Sequence, residues 1–95
     1  MPHQKEFKEY SFREFRIRPS MLDAIDRYIN DRILPGNFLR AIISNDLRES
    51  TGRADDDNLR NIPAFVAFFW NEAPASCWGS TEKMKAWIEN KKERR

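Results

Sequence analysis

A chain of 95 residues, 34% of them charged, predicts one soluble domain with a modest core, and it excludes a second domain or a large cofactor cleft. The net charge is +2 over residues 1–18, −3 over residues 19–81 and +3 over residues 82–95, so the chain lacks the uniformly basic character of a typical nucleic-acid-binding domain. A single cysteine, Cys77, excludes an internal disulfide. Without an apolar run near the roughly 18 residues of a membrane span, and without a signal peptide, we expect a protein of the cytoplasm that has no membrane partner.

Residues 1–18 are predicted to form an extended or partly disordered arm. The alternation of apolar and basic residues from Phe15 to Arg18 is typical of a short strand, but no other segment has the pattern of a partner strand. The arm then either crosses the helices, burying Phe12, Phe15 and Ile17, or pairs with the same strand of a second copy. We favour the first interpretation.

Residues 19–92 are predicted to form an all-α domain of four helices. The first helix is expected from Met21 to Arg32, with Ser20 as its N-cap. The second is expected from Phe38 to Ser50, with Gly52 in the left-handed conformation that ends many helices.

The third predicted helix is the hydrophobic centre of the domain. On a helical wheel, one broad face holds Leu59, Ile62, Phe65, Val66, Phe69 and Trp70, and Phe68 widens it. Asp55 to Asn58 start this helix, and Pro63 should kink it or separate its first turn, residues 56–61. A turn follows, and Ser80 is expected to cap a fourth helix from Thr81 to Lys91.

Asp46 is the most informative polar residue, because the second predicted helix places it in the middle of an apolar face. A buried carboxylate must be paired or hydrogen-bonded. Asp46 is therefore either a general base or ligand, or a structural acceptor of backbone N–H groups or of Arg32. We favour the structural role, since the chain's single histidine lies in the arm and offers no relay. Asn45 and Asn71 are likewise predicted to satisfy loop backbone.

The remaining motifs predict no catalytic residue, no metal site and no cofactor. Three consecutive carboxylates, Asp55 to Asp57, point in different directions on a helix and are better explained as helix capping. Cys77 lacks the base that a nucleophilic thiol needs. Glycine-rich phosphate loops and Cys/His ligand sets are absent from the sequence. An enzyme is therefore the least favoured class.

The surface offers a more promising signal than the core. Aromatic and basic residues alternate in the arm, and such segments contact proteins or single-stranded nucleic acid. An exposed tryptophan after the third helix would also anchor an interface. The predicted binding residues are Phe12, Phe15, Arg16, Arg18, Trp78, Lys91 and Lys92.

The run from Ile33 to Ser80, about half of the chain, resembles a family of short phage and prophage proteins. The matching features are Pro35-Gly36, Phe38-Leu39, Asn45-Asp46-Leu47, Ala54-Asp55, Asn58, Asn71, Ala73-Pro74 and Cys77-Trp78-Gly79-Ser80. The resemblance implies a phage-encoded protein that acts in the cytoplasm of a bacterial host. Small accessory phage proteins often bind host machinery, defence systems included.

The leading expectation is therefore a non-enzymatic phage accessory protein that binds a host protein and inhibits or redirects it. One alternative is nucleic-acid binding through the basic terminal segments, which predicts a steep dependence of affinity on salt. Another is a self-assembling homo-oligomer that could sequester a small ligand between subunits. That alternative predicts that Phe15→Asp or Ile17→Asp dissociates the assembly.

Overall fold

The computed structural model describes residues 9–90, which form six α-helices, one short 3₁₀ helix and a two-stranded hairpin. In chain order the elements are β1 (Tyr10–Phe12), β2 (Phe15–Ile17), α1 (Pro19–Asp31), α2 (Asn37–Ile43), α3 (Leu47–Arg53), α4 (Asp56–Arg60), α5 (Ile62–Glu72), the 3₁₀ helix (Ala75–Cys77) and α6 (Thr81–Glu89). The all-α expectation is confirmed in its coarse form, as a mostly helical globule, whereas the expected count of four helices is wrong. Predictions that concern residues 1–8, Lys91 and Lys92 lie outside the described residues.

None of the helices between residues 9 and 90 has the length and apolar character that crossing a bilayer requires.

The described part of the arm folds back on itself as a hairpin. β1 and β2 pair antiparallel, with Phe12 opposite Phe15. In the connecting turn, Arg13–Glu14, Arg13 has a φ of 57°, a conformation for which glycine or asparagine is usual. The expectation that β2 has no partner in this chain is therefore wrong. Its partner directly precedes it, and the turn carries none of the residues that normally mark a hairpin.

The hairpin packs on α5 of its own chain. The Tyr10 ring meets the Phe68 ring edge-on, with 5.2 Å between centroids, and Ile17 is buried in the core. The backbone N–H of Arg16 donates to the side-chain oxygen of Asn61 at 2.9 Å. This edge of the hairpin is therefore satisfied by the segment that joins α4 to α5. Because Ile17 belongs to the core of a single chain, Ile17→Asp would disrupt that core and does not test an assembly.

α1 begins two residues earlier than predicted, at Pro19 and not at Met21. Pro19 is the first helical residue, where its missing N–H costs nothing, and Arg18 precedes it without a side-chain cap. Ser20 lies inside the helix, so its predicted role as N-cap is wrong. α1 ends at Asp31, and the residue that follows it, Arg32, has a left-handed φ of 60°.

The second predicted helix is broken at Ser44–Asp46 into α2 and α3. Asn45 has a φ of 63°, which reverses the chain, and Asp46 is the N-cap of α3. Asp46 is exposed and does not lie on the buried face of α2, because the break moves it off the helical wheel on which the prediction was based. Gly52 lies inside α3, so its predicted role as a left-handed helix end is wrong.

Pro63 separates α4 from α5, which is the second of the two outcomes predicted for it. α4 ends at Arg60, Asn61 joins the two helices, and Pro63 lies in the first turn of α5. Asp55 caps α4 by accepting the backbone N–H of Asn58 at 2.8 Å, as its position before the helix suggests.

The orientation of α5 differs from the helical-wheel prediction. Its buried side chains are those of Ala64, Phe65, Ala67, Phe68 and Phe69. Val66 and Trp70, which were predicted to face the core, point to solvent. Apolar residues surround most of α5, so the wheel alone does not fix its rotation. Ala64 and Ala67 are both buried, so their side of the helix is covered instead.

A set of hydrogen bonds ties α6 and the 3₁₀ helix to α1. The hydroxyl of Tyr28 donates to the carbonyl of Cys77 at 2.7 Å, in the buried core. The indole N–H of Trp87 donates to the carbonyl of Tyr28 at 3.0 Å. The guanidinium of Arg32 lies 3.6 Å from the centre of the Trp87 ring and donates to the Trp87 carbonyl.

Candidate protein-interaction surface

Four apolar side chains form an exposed row along α4 and α5, which we call the α5 stripe: Leu59, Pro63, Val66 and Trp70. Pro63, Val66 and Trp70 are spaced by three and four residues, which places them on one side of α5, and Leu59 lies on the preceding helix α4. Trp70 is 75% exposed, Val66 44% and Leu59 43%, and Pro63 is also exposed. Single exposed apolar residues are ordinary, but a tryptophan within a continuous row is typical of a contact surface.

Aromatic packing covers the other sides of α5. The ring of Phe65 meets Phe38 of α2 at 5.0 Å between centroids. Phe68 packs against the hairpin, and Phe69 lies 5.8 Å from the ring of Trp78. α5 is therefore held in place by three neighbours, and the α5 stripe lies on the part of its circumference that they leave open.

The α5 stripe carries no charge. From Asn61 to Asn71 the sequence contains no Asp, Glu, Lys or Arg, although a third of the whole chain is charged. The centres of protein–protein interfaces are depleted of charged residues and enriched in aromatic ones. Tryptophan is also among the residues that most often dominate the binding free energy. The α5 stripe has the composition of an interface centre.

The structure uses most of the predicted hairpin contacts for the fold. Phe12 and Phe15 are half-buried and pack against the core. Arg18 is engaged at α4, where its guanidinium lies 2.8 Å from the carboxylate of Asp55 and 3.2 Å from that of Asp57. The side chain of Arg16 is exposed, and its backbone is bonded to the α4–α5 junction. Of these four residues, only Arg16 presents its side chain freely to solvent.

The tryptophan proposed as an interface anchor is not the exposed one. Trp78 is half-buried against Phe69, whereas Trp70, predicted as core, is exposed. No sequence signal indicates this, because apolar residues surround most of α5 and the helical wheel does not fix its rotation.

Asp46, Asn45 and Asn71 have different roles in the structure. Asp46 caps α3, accepting the backbone N–H of Glu49 at 3.0 Å from an exposed position. Its predicted burial is wrong, because the helix ends before it. Asn45 supplies the left-handed turn residue, which asparagine tolerates well. Asn71 is exposed near the end of α5.

Arg32, the side chain considered as a partner of Asp46, is bonded elsewhere. Arg32 stacks on Trp87 of α6. In the turn before α6, the backbone N–H of Gly79 donates to the carbonyl of Ile43 at 2.7 Å. The loop thus bonds to the backbone at the end of α2, and Asp46 serves its own helix.

A shallow groove of about 200 Å³ between α2, α3 and the start of α6 includes Asp46 in its lining. Arg40, Glu49 and Arg53 also line it, and Arg53 is paired with Glu49 at 3.0 Å. Cys77 and Asn71 do not line this groove. Its charges largely neutralise each other, so it offers no strong preference for an anion or a cation.

Cys77 is fully buried beneath the turn that precedes α6. Burial, chiefly, raises the pKa of its thiol to about 12, so the thiol is protonated at neutral pH and is a poor nucleophile. Over residues 9–90, no three His, Cys, Asp or Glu side chains are grouped closely enough to hold a metal ion.

No family model, curated protein or solved structure matches this chain.

Proposed function

We propose that this is a non-enzymatic binding protein whose α5 stripe contacts a host protein in a bacterial cytoplasm, and that binding inhibits or redirects that protein. The observation that carries the proposal is Trp70, three-quarters exposed on an uncharged helical row. The resemblance to short phage and prophage proteins supports a host protein as the partner.

The rigidity of the α5 stripe supports a binding role. Its residues project from a helical segment whose other sides are packed by α2, the hairpin and the loop before α6. A surface that is ordered before binding loses little conformational entropy in the complex. Exposed apolar side chains on such a helix can therefore contribute most of their burial free energy to affinity.

The spacing of the α5 stripe indicates what the partner offers. Apolar residues repeating every three or four positions on one helix face typically lie in an apolar groove of another protein. A charged partner surface would leave its charges unpaired against this row, which is unfavourable. We therefore expect a partner groove that is apolar at its centre and polar at its rim.

A matched pair of variants tests the proposal. Trp70→Glu places a charge at the centre of the α5 stripe, and Leu47→Glu makes the same exchange at a side chain that is 71% exposed on α3. The tagged chain and both variants are used to capture proteins from bacterial lysates. We expect a discrete partner to be retained by the wild-type chain and by Leu47→Glu.

For Trp70→Glu we expect the affinity to fall by at least about 2 kcal/mol, or roughly 30-fold. Circular dichroism and thermal melts should show both variants folded, because each substituted side chain is exposed. A partner that binds Trp70→Glu and the wild-type chain equally well contradicts the proposal.

A further inference from the structure

α3 is an ordered helix that contributes almost nothing to the core. Ser50 is its one buried side chain, and local contacts fix the helix instead. The hydroxyl of Ser50 donates to the carbonyl of Asp46 at 2.7 Å, and Arg53 pairs with Glu49 at 3.0 Å. A helix this short gains little stability by itself. Its order, combined with its exposure, therefore indicates a surface held out for contact with another molecule.

Four exposed residues lie together on one side of α3, and we call them the α3 face: Leu47, Arg48, Thr51 and Gly52. At about 100° per residue they cover roughly 140° of the helix circumference. The acidic side chains of Asp46 and Glu49 lie on the other side, where they line the groove beside α2. The α3 face therefore carries one positive charge, that of Arg48, and no negative charge.

Gly52 indicates that another molecule approaches the α3 face closely. It lies inside α3 without a positive φ, and a Cβ on it would meet no atom within 4 Å. The fold therefore does not need glycine at this position, although glycine destabilises a helix relative to alanine. A glycine that weakens its helix and serves no turn is typical of a site where a ligand comes close to the backbone.

α2, the turn after it and α3 have the order of a DNA-binding helix-turn-helix. Five of the seven residues of α2 are buried. Residues 44–46 then turn the chain through the left-handed Asn45, and α3 follows on the surface. In a helix-turn-helix the second helix lies in the major groove of DNA while the first crosses the phosphate backbone. An anchored α2 and an exposed α3 match this division.

The side chains of the α3 face match the edges of base pairs. Arginine binds guanine through two hydrogen bonds, and Arg48 has no ion-pair partner within residues 9–90. The hydroxyl of Thr51 donates to the carbonyl of Leu47 at 3.0 Å, which leaves its methyl group as the contact that it offers. Methyl and other apolar groups contact the methyl of thymine. The bare backbone at Gly52 lets the sugar–phosphate chain come close.

The charge of this part of the chain favours a polyanion. Residues 37–54 contain three arginines against two acidic residues, a net charge of +1, within a body, residues 19–81, whose net charge is −3. α6 begins beside α3, since Thr81 lines the same groove as Arg53. It leads into the basic end of the sequence, residues 82–95, with a net charge of +3. The net positive part of the body thus coincides with α2 and α3, and positive charge attracts nucleic acid.

We infer that α3 binds in the major groove of duplex DNA, with Arg48 and Thr51 at the base edges and Gly52 against the sugar–phosphate backbone. This activity goes beyond the proposed function, because the α3 face and the α5 stripe share no residue. A surface with so few cations predicts weak binding, with a Kd of about 10–100 µM, within the range for non-specific DNA binding.

Fluorescence anisotropy of a labelled duplex of mixed sequence, titrated with the full-length chain, tests the inference. Leu47→Glu and Trp70→Glu form a matched pair, since each places a carboxylate on a different exposed surface. We expect Leu47→Glu to weaken DNA binding at least about tenfold, because its carboxylate faces phosphates. Trp70→Glu should bind DNA as the wild-type chain does. Absence of binding by the wild-type chain at about 100 µM, or equal affinities of the two variants, overturns the inference.

Two further variants separate groove binding from simple attraction. Gly52→Ala should raise the melting temperature by about 4 °C and yet weaken DNA binding several-fold, whereas a loss of structure would lower both. Selection from a randomised duplex library should show a preference for guanine with the wild-type chain, and Arg48→Ala should lose it. Unchanged DNA affinity in Gly52→Ala, or a wild-type selection without a preferred base, overturns the inference.

The inference and the proposed function can fail separately. A chain that binds DNA through the α3 face and captures no host protein supports the inference and contradicts the proposed function. A chain that captures a host protein through Trp70 and binds no DNA supports the proposed function and overturns the inference. Capture of a protein that Leu47→Glu releases makes the α3 face a protein-binding surface, and this outcome also overturns the inference.

Discussion

The hydroxyl of Tyr28 makes one of the hydrogen bonds that attach the C-terminal part of the domain to α1. It is fully buried and donates to the carbonyl of Cys77 at 2.7 Å, joining α1 to the 3₁₀ helix. Tyr28→Phe removes this oxygen and keeps the ring, so the packing of the core is nearly unchanged. The variant therefore isolates one buried hydrogen bond.

The magnitude follows from the burial of the site. Loss of a buried hydrogen bond that leaves the other group without its donor costs about 1–3 kcal/mol. We expect the free energy of unfolding to fall by about 2 kcal/mol, the middle of that range. For a domain of this size, this corresponds to a drop in melting temperature of about 8–16 °C.

Urea denaturation followed by circular dichroism measures the effect, with Tyr10→Phe as the matched control. Tyr10 lies half-buried on the hairpin, and its hydroxyl makes none of the hydrogen bonds described above for the core. We expect the control to change stability by less than about 0.5 kcal/mol. The slope of the transition should be the same in both variants, because neither changes the surface exposed on unfolding. Equal stability of Tyr28→Phe and Tyr10→Phe would refute the reasoning.

Three further predictions concern the caps, the ion pair and the thiol. Asp46→Ala should lower the free energy of unfolding, measured by urea denaturation, by about 1 kcal/mol. Asp46→Asn should lower it by much less, because asparagine also caps helices, and equal losses in the two variants would contradict the capping role. The pKa of Asp55 lies below its ordinary 3.8, chiefly because the carboxylate accepts the backbone N–H of Asn58 and secondly because it pairs with the guanidinium of Arg18. The folded state therefore binds fewer protons than the unfolded state at acid pH. The stability that the Asp55 carboxylate contributes is present above about pH 4 and is lost as the pH falls through the lowered pKa. Asp55→Asn should flatten this part of the stability–pH profile, and an unchanged profile would contradict the contact. Cys77 should react with a thiol reagent only as fast as the domain unfolds, and rapid labelling of the native protein would contradict its burial.

The sequence predicts local features of this fold well, because short-range chemistry determines them. Asp55 and Ser80 cap α4 and α6, each accepting an N–H three residues ahead. Pro63 separates two helices, since it cannot donate a backbone hydrogen bond within one. These residues act on neighbours three or four positions away, and a single sequence contains that information.

Features that depend on distant contacts are not predictable in the same way. The break between α2 and α3 follows from one left-handed residue, Asn45, whose conformation no neighbouring residue requires. A prediction that misses this break continues the second helix through Asp46 and places Asp46 on its apolar face. The hairpin is similar, because Arg13 adopts an unusual turn conformation that packing against α5 stabilises.

The candidate surface depends on the rotation of α5, which only the tertiary structure fixes. With apolar residues around most of the helix, Trp70 is an equally good core residue and surface residue on the wheel. The hairpin decides the outcome by covering the side of Phe68. Trp70 is thereby left outside, and the predicted interface residues Phe12 and Phe15 are drawn inward.

The most direct test of the α5 stripe is oxidative footprinting of the three tryptophans, read by mass spectrometry. In the dilute chain, Trp70 should be modified fastest, because Trp78 and Trp87 are partly buried. When the protein that the wild-type chain captures is bound, modification of Trp70 should slow several-fold while Trp78 and Trp87 stay unchanged. A Trp70 that is modified at the same rate with and without the captured protein contradicts the proposal that the α5 stripe binds protein.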